Sequence, residues 1–425
     1  MKKHRMPFAW AIALCLAGAL SAHNASATSG SALSLERRVP ALEIAPTSAS
    51  ASKSGQAAVD KGLKWLATHQ MDNGGFGQGE ESAAMGSGGQ LAAVTNVADT
   101  SVAAMAFLRS GSTPLAGTYQ KHVTRAVGYV LDSVEKSDKD SIYVTDVRGT
   151  RVQGKLGQAV DTFMALALLT DVQGQMPDAA GEARVKSAIE KVIAKMKKNQ
   201  KSDGSFESSG WAPTLSQAMG SRGLNKAAEQ GVVVDETLRT RAEDWSKDQV
   251  AGGGFKGTGS AGVALYGTAS AVTGLGSSVA ANEKQRATYE TKAKSGKTEK
   301  ERDEASATLK RFDDAKKAEE QAMRAMTEQM KDERFVAGFG NNGGEEFLSY
   351  MLMSESLSKK GGKEWNDWQA RMDTNLTRVQ NGDGSWTGHH CITGRTFVTS
   401  TALMVLTTDA QTKSVQERLL GKKAS

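Results

Sequence analysis

The chain has 425 residues, of which 39% are hydrophobic and 24% charged, and its formal net charge is +6. This composition is that of a folded globular protein, because intrinsic disorder requires fewer apolar residues and a membrane bundle requires several long apolar runs. Three of the 53 bases lie in an acid-free leader, which leaves 50 bases against 47 acids. No stretch combines clustered bases with interleaved aromatics, so we exclude a nucleic-acid-binding face.

The first 27 residues have the three parts of a secretory signal peptide. Residues 1–5 read MKKHR, residues 7–22 contain a short apolar run, and Ala25-Ser26-Ala27 is a small-x-small cleavage site. The run is shorter than the ~20 residues of a membrane span. We therefore predict export with no transmembrane segment in the mature chain, and either a periplasmic or an extracellular location. Residues 28–55, rich in Ser and Ala, predict a flexible segment, and residues 411–425 predict a polar tail.

From residue 56 onward, amphipathic helices alternate with Gly-rich turns. Three turns share one pattern, in which Gln is followed by Asp or Asn, Gly, a small residue and an aromatic: HQMDNGGFG at 69–77, NQKSDGSF at 199–206 and VQNGDGSW at 379–386. A weaker copy, DQVAGGGF, occupies 248–255. A Gly-rich turn ends one helix and the aromatic fills the gap to the next hairpin, so the recurrence predicts a helical repeat architecture.

These turns resemble the repeats of the terpenoid cyclase and protein prenyltransferase superfamily. The resemblance implies an all-α fold, an (α/α)6 toroid of alternating inner and outer helices over residues 56–410. Two sets of six segments fit that count. The inner set is apolar: 99–108, 161–170, 213–220, 263–275, 345–357 and 396–406. The outer set is more charged: 57–69, 119–134, 183–199, 235–249, a part of 280–335, and 363–379.

Residues 280–335, called the inserted segment below, depart from the toroid pattern. Opposite charges are interspersed along a broken apolar stripe that includes Phe312 and Met326, and Ser295-Gly296 predicts a turn between two helices. Two interpretations are open. The segment is either an extended fifth outer helix with a solvated face or an inserted charged helical hairpin that binds a protein or cell-envelope partner.

The starts of the inner helices would meet at one mouth of the ring, where unpaired N–H groups favour acids and anions. Candidates there are Asp99, Asp161, Glu345 and Glu346, together with WTGHHCITGR at 386–395. That stretch holds His389, His390 and the single cysteine of the predicted mature chain, Cys391. The sequence therefore directs attention to one end of the inner helices.

Three interpretations of the histidine and cysteine cluster are open. In the first, His389, His390 and Cys391 offer nitrogen and sulfur ligands for zinc, together with an acid such as Asp99 or Asp161. Prenyltransferases, which the repeats resemble, bind zinc through Asp, Cys and His, but their Asp-x-Cys pair is absent here. The second interpretation is a nucleophilic Cys391 activated by His389 or His390 and by Arg395 near a helix start. In the third, the cluster only braces the closure of the ring.

The remaining candidate catalytic and substrate-binding residues lie elsewhere in the sequence, and the two aspartates among them also have a purely structural explanation. Asp99 and Asp161 are candidate catalytic acids, but NVADT at 96–100 matches only the last two positions of the D-x-D-D-T motif of terpene cyclases, and Asp-Thr is also an ordinary helix start. Arg395, Trp386 and Glu346 are candidate substrate-binding residues. An aromatic content of 6% is too low for the cation-stabilising cavity of a polyene cyclase. Paired carboxylates at the mouth would also suit a glycan-active enzyme.

Two functions follow from these observations. The first is an exported binding or scaffolding protein of the cell envelope or extracellular space, without terpene cyclase activity, and the inserted segment and the missing motifs favour it. The alternative is a zinc-dependent transferase, hydrolase or lyase with its site at 389–391. Bound metal would distinguish them, because a binding module requires none.

Overall fold

The computed structural model describes residues 53–79, 90–206, 209–250, 255–257 and 259–409. The predicted signal peptide at 1–27, all but the last three residues of the predicted flexible segment at 28–55, and the predicted tail at 411–425 lie outside these ranges. Within the described ranges the chain forms fourteen α-helices and no β-sheet. Phe76 and Asn96 form an isolated antiparallel β-bridge there. The predicted all-α class is confirmed. None of the helices in these ranges is long and apolar enough to cross a membrane.

Twelve of these helices correspond to the twelve predicted segments. The inner set is α2 (Val97–Arg109), α5 (Val160–Val172), α7 (Pro213–Glu229), α9 (Ala264–Ser295), α12 (Gly344–Lys360) and α14 (Arg395–Leu406). The outer set is α1 (Lys53–Thr68), α3 (Gln120–Lys136), α6 (Ala179–Asn199), α8 (Glu236–Asp248), α10 (Glu299–Gln329) and α13 (Gly362–Val379). Two short helices, α4 (Arg151–Leu156) and α11 (Glu333–Ala337), are not foreseen by the pattern.

The inner helices contact one another in a closed cycle. Helix α2 packs on α5, α5 on α7, α7 on α9, α9 on α12, α12 on α14, and α14 on α2 again. Composition explains the division between the two sets. All of α5 except Asp171 is buried, whereas α3 buries only one stripe of valine, leucine and alanine. A helix that is apolar all round requires neighbours on every side, and an amphipathic helix packs through one face.

The three repeated turns make the same hydrogen bonds. The side-chain amides of Gln70, Gln200 and Gln380 each donate to the carbonyl of the turn glycine four residues later and to a carbonyl of the next outer helix, at 2.8 to 3.2 Å. The outer-helix acceptors lie in α3, α8 and α1 respectively. The third turn therefore connects the last outer helix to the first. In the weaker copy, whose residues 251–254 lie outside the described ranges, the Gln249 amide donates to the Trp245 carbonyl of α8 at 3.5 Å.

Glycine and aromatic positions complete these turns. Gly74, Gly204 and Gly384 have φ between +83° and +94°, and a Cβ at any of them would collide with a backbone carbonyl of the next outer helix. Two residues later comes Phe76, Phe206 or Trp386, each at most 1% exposed. The backbone N–H of each aromatic donates to a side-chain oxygen of the following inner helix. The repeats are thus structural joints between three helices.

The inserted segment begins differently from the expectation. Helix α9 is a single 32-residue helix, so the fifth inner helix continues without a break into the first half of the segment. No proline interrupts it before Ser295. The turn predicted at Ser295-Gly296 is confirmed, and Thr298 then caps α10 through reciprocal bonds with Glu301. Helix α10 packs along α9 and contacts α8, in the place of a fifth outer helix.

Substituting Gly204 tests the contact between a repeated turn and its neighbouring helix. We expect Gly204→Ala to lower the free energy of unfolding by about 3 kcal/mol, because a left-handed backbone costs ~1 kcal/mol and displacing packed backbone adds ~1–3 kcal/mol. The control Gly231→Ala has the same φ of +83° with no atom near its Cβ, so we expect a loss of about 1 kcal/mol. Urea unfolding measures both, and equal losses would contradict the proposed joint.

Candidate functional site

The start of α12 and the loop before α14 are bonded together. The Gly344 N–H donates to the Ile392 carbonyl at 3.0 Å, and the His389 N–H donates to the Asn342 carbonyl at 2.8 Å. In return the Ile392 N–H donates to Glu345 Oε2 at 3.3 Å. These bonds hold residues 389–392 against the first turn of α12.

Glycines in the segment 338–344 allow this close approach. A Cβ at Gly343 would collide with the imidazole of His390, and one at Gly340 would lie 2.9 Å from the same ring. The ring therefore lies flat against a backbone that carries no side chains at those positions. The sequence GFGNNGG before α12 is the local signal for this arrangement.

Glu345, His390 and Cys391 form one cluster. Their donor atoms, a carboxylate oxygen, a ring nitrogen and the thiol sulfur, all lie within 4.8 Å of one another. Adjacent side chains of an extended strand point in opposite directions. Cys391 has a φ of +54°, outside the extended region, so His390 and Cys391 both reach the same carboxylate. The left-handed backbone at Cys391 thus replaces the extended chain expected from the sequence, in which the side chains of His390 and Cys391 would point in opposite directions.

Glu346 holds the imidazole from the other side. Its Oε2 lies 3.4 Å from His390 Nε2 and accepts a hydrogen bond from the Gly343 N–H at 3.0 Å. Its Oε1 accepts from the Tyr266 hydroxyl and from the Phe339 N–H. Glu346 is fully buried, and its carboxylate contacts His390, Gly343, Tyr266 and Phe339. Its position is that of a residue that orients His390.

Burial controls the protonation of the cluster. It raises the pKa of Glu345 to about 8, with a further contribution from the charge of Glu346. It also raises the pKa of Cys391 to about 12, against a hydrogen bond from Lys155 that lowers it, and it lowers the pKa of His390. A nucleophilic cysteine requires a lowered pKa. The activated-thiol interpretation is therefore disfavoured, and the three donors face one another largely uncharged at neutral pH.

An aromatic and cationic surface adjoins the cluster. The Phe339 ring packs edge-on against His390 and Trp211, with centroids 5.4 and 5.8 Å apart, and is itself 57% exposed. The Lys155 ammonium, carried by α4, lies 5.4 Å from the Trp211 ring centroid. The sequence pattern missed Lys155, Trp211, Phe339 and Tyr266, because each comes from a separate segment of the chain.

The other predicted residues around the loop have different surroundings. His389 is exposed, and its side chain is not part of the donor cluster; Glu345 takes the place expected for it. Arg395 pairs with Asp383 at 2.7 Å. Trp386 is enclosed in the core, with its indole N–H donating to the Leu376 carbonyl at 2.8 Å. Substrate binding by Arg395, Trp386 and Glu346 stays a prediction.

Asp99 and Asp161 form a second buried pair, between α2 and α5. Asn96 caps α2 and donates from its amide to Asp99 Oδ2 at 2.7 Å. Asp161 accepts from the Ala98 N–H at 2.9 Å and from the Gln153 amide at 2.7 Å. The capping residue of α2 is thus Asn96, and Asp161 ties the start of α5 to that of α2, whereas Asp99 bonds to Asn96 within the start of α2. Burial raises the pKa of both carboxyls, that of Asp99 to about 7.

The raised pKa of Asp99 makes stability depend on pH. Between an unfolded pKa of 3.8 and a folded pKa of about 7, the folded state binds more protons than the unfolded state, so the free energy of unfolding falls as pH rises. Asp99→Asn mimics the protonated acid and removes this loss. We expect the stability of the variant relative to wild type to rise between pH 4 and 7 by at most about 4 kcal/mol.

Urea unfolding at several pH values measures that difference. Asp244→Asn, at a solvent-exposed position of α8, is the control and should follow the wild-type pH profile. Parallel curves for wild type and Asp99→Asn would show that Asp99 titrates normally in the folded protein.

A crystal structure of a protein from Actinoplanes is similar to this chain, with 13% sequence identity and a TM-score of 0.42. The similarity covers 84% of this chain and 99% of that one. At this TM-score it supports no inference about fold or function. No protein-family model and no curated protein matches the chain. The function must therefore be argued from the geometry of the site.

Proposed function

We propose that the chain is an exported, zinc-dependent hydrolase or transferase built on an α/α toroid, with its metal held by Glu345, His390 and Cys391. The observation that carries the proposal is the convergence of these three donor atoms within 4.8 Å. The cyclic order of inner helices and the three repeated joints support the toroid, and the leader at 1–27 supports export.

The donor set fits zinc. Zinc accepts oxygen, nitrogen and sulfur ligands, and three protein ligands leave a fourth position open for catalysis. With bonds of ~2.0–2.3 Å, ligand atoms of a tetrahedral site are about 3.5 Å apart, so the cluster must contract by at most about 1.3 Å on binding. Glu345 Oε1 and both ring nitrogens of His390 are buried without a hydrogen-bond partner in the described part of the chain. A metal ion would satisfy the carboxylate oxygen and one of the two nitrogens.

His390 is positioned for this role by Glu346. Since Nε2 faces the Glu346 carboxylate, Nδ1 is the nitrogen left for a metal, and a carboxylate behind a histidine is the usual support of a zinc ligand. Bound zinc would polarise a carbonyl or phosphoryl oxygen, or activate a water molecule. Lys155 offers a positive charge beside the cluster, and Phe339 and Trp211 offer an aromatic wall. We expect a substrate with an apolar group next to an oxygen-rich reacting group.

The binding or scaffolding function remains the second proposal. It rests on the charged surface of α10 and on the absence of the motifs of catalytic relatives. The donor cluster favours the enzyme, because a scaffold requires neither the strained Cys391 nor a histidine fixed by a buried carboxylate.

Metal content tests the proposal directly. We expect the mature chain, purified without a histidine tag, to hold about one zinc per chain, and we expect Cys391→Ser and Glu345→Gln to hold none, because removal of one ligand leaves only two protein donors. His389→Ala is the matched control, since it removes a histidine one residue away from the cluster. Elemental analysis measures the metal, and Co²⁺ substitution adds a thiolate charge-transfer band that only the wild type and the control should show.

Gly343→Ala extends the test without touching a ligand. Its Cβ would displace the His390 ring, so we expect weaker zinc binding with all three donors still present. Circular dichroism confirms that each variant is folded. Wild-type protein that stays metal-free after incubation with zinc, or a His389→Ala variant that loses zinc as completely as Cys391→Ser, would overturn the proposed ligand set.

A further inference from the structure

A cavity lies at the opposite end of α12 from the donor cluster. Its volume is about 410 Å³, and its walls come from α7, α9, α10 and α12. The inserted segment supplies the α10 wall. Small-molecule sites have volumes of ~300–1,000 Å³ and combine an apolar lining with a few polar groups. The size alone therefore permits a ligand, and the lining indicates its chemistry.

Cations outnumber acids on the side formed by the inner helices. Arg222 lies 3.2 Å from Glu355 and 3.5 Å from Asp171, but its Nη1 has no hydrogen-bond partner among the described residues. The same two acids also serve Arg109 and Lys226. Two carboxylates are thus shared by three cations before Lys359 is counted.

Lys359 is the cation most available to a ligand. It is exposed and lines the cavity, and no ion pair or hydrogen bond holds its ammonium in the described part of the chain. Partial desolvation of its ammonium in the cavity lowers the pKa of Lys359, as do the charges of Arg222, Lys226 and Arg109, while the charge of Glu229 raises it. Cations near helix C-termini complement the helix dipoles. Because three neighbouring cations lower the pKa of Lys359, the positive charges at this end of the helices repel one another. The helix dipole does not explain such an excess of cations over acids.

The remaining lining combines apolar groups, hydroxyls, two acids and the further cations Arg324 and Lys360. Val279 and Ala280 of α9 and Met323 of α10 supply apolar surface. Glu319 and Glu320 lie on the α10 side, where Glu320 is 3.9 Å from Arg324. The α10 side therefore carries two acids against one cation, whereas Arg222, Lys359 and Lys360 face Glu355 on the inner-helix side, which attracts an anion to Arg222 and Lys359. The charges therefore fix the orientation of a ligand as well as its sign.

We infer that this cavity binds an organic anion with a short apolar chain, of the medium-chain carboxylate class, with its head at Arg222 and Lys359 and its chain along Val279 and Met323. The site is independent of the proposed zinc centre. It also gives the inserted segment a role, because α10 closes one side of the cavity.

Isothermal titration of the mature chain with decanoate tests the inference. We expect one decanoate per chain. Lys359→Gln should weaken binding about tenfold, which is the effect of ~1.4 kcal/mol. Gly276→Phe should abolish binding, because Gly276 lines the cavity and its Cβ points into open space, so that a large side chain fills the cavity without a backbone clash. Lys300→Gln, on the exposed face of α10, is the control and should bind as wild type does.

Decanol and inorganic phosphate separate the two parts of the ligand. Weaker binding of both than of decanoate supports the inference. Decanol that binds as tightly as decanoate would show that the cations do not select the ligand, and phosphate that binds alone would show that the apolar surface contributes nothing; either result overturns the inference. No decanoate binding by wild type, or unchanged binding by folded Gly276→Phe and Lys359→Gln variants, overturns it as well.

Discussion

The donation from a turn glutamine to the neighbouring outer helix is the interaction on which the rest of the structure depends. A half-buried amide that satisfies two backbone carbonyls, next to a glycine pressed against the same helix, fixes the spacing of consecutive hairpins. In the last repeat, Gln380 donates to the carbonyl of Ala58, which joins the two ends of the described fold. The loop that carries His390 and Cys391 continues directly from this joint. The donor cluster is therefore positioned by the closure of the helix cycle.

The twelve main helices could be predicted from the sequence because their signals are local. Apolar periodicity, glycine turns and capping residues all act within a few positions of one another, and the turn at Ser295-Gly296 was found in the same way. The donor cluster joins residues more than forty positions apart, and its third member, Glu345, faces Cys391 only because that residue adopts a positive φ. Such a conformation leaves no periodic trace, so the pattern pointed to the adjacent His389. Lys155 was missed for a related reason, since six residues of α4 are too few to show a period.

The sign of the charged side chains at the helix ends follows the direction of the inner helices. Asp99, Asp161 and Glu345 lie in first turns, where the helix dipole favours acids, and Arg109 and Lys359 lie in last turns, where it favours cations. The dipole is worth only ~0.3–1 kcal/mol per charge, or up to ~2 kcal/mol in partly buried sites. Burial opposes it strongly enough to raise the pKa of Glu345 to about 8 and to lower that of Arg109 to about 9. The helix dipoles therefore favour the sign of charge found in each cluster, but they are too weak to offset the cost of burying that charge.

The lack of compensating charge at the helix ends connects the two proposed sites. Glu345 and Lys359 stand fourteen residues apart on α12, about 21 Å at the rise of an α-helix. A cation at the first end and an anion at the second would each supply the charge that the surrounding side chains lack. Anything that binds only the folded state stabilises it by mass action. If both sites are filled, the charged clusters that destabilise the ligand-free protein become its ligand-binding groups. Binding of the two ligands would then raise the free energy of unfolding.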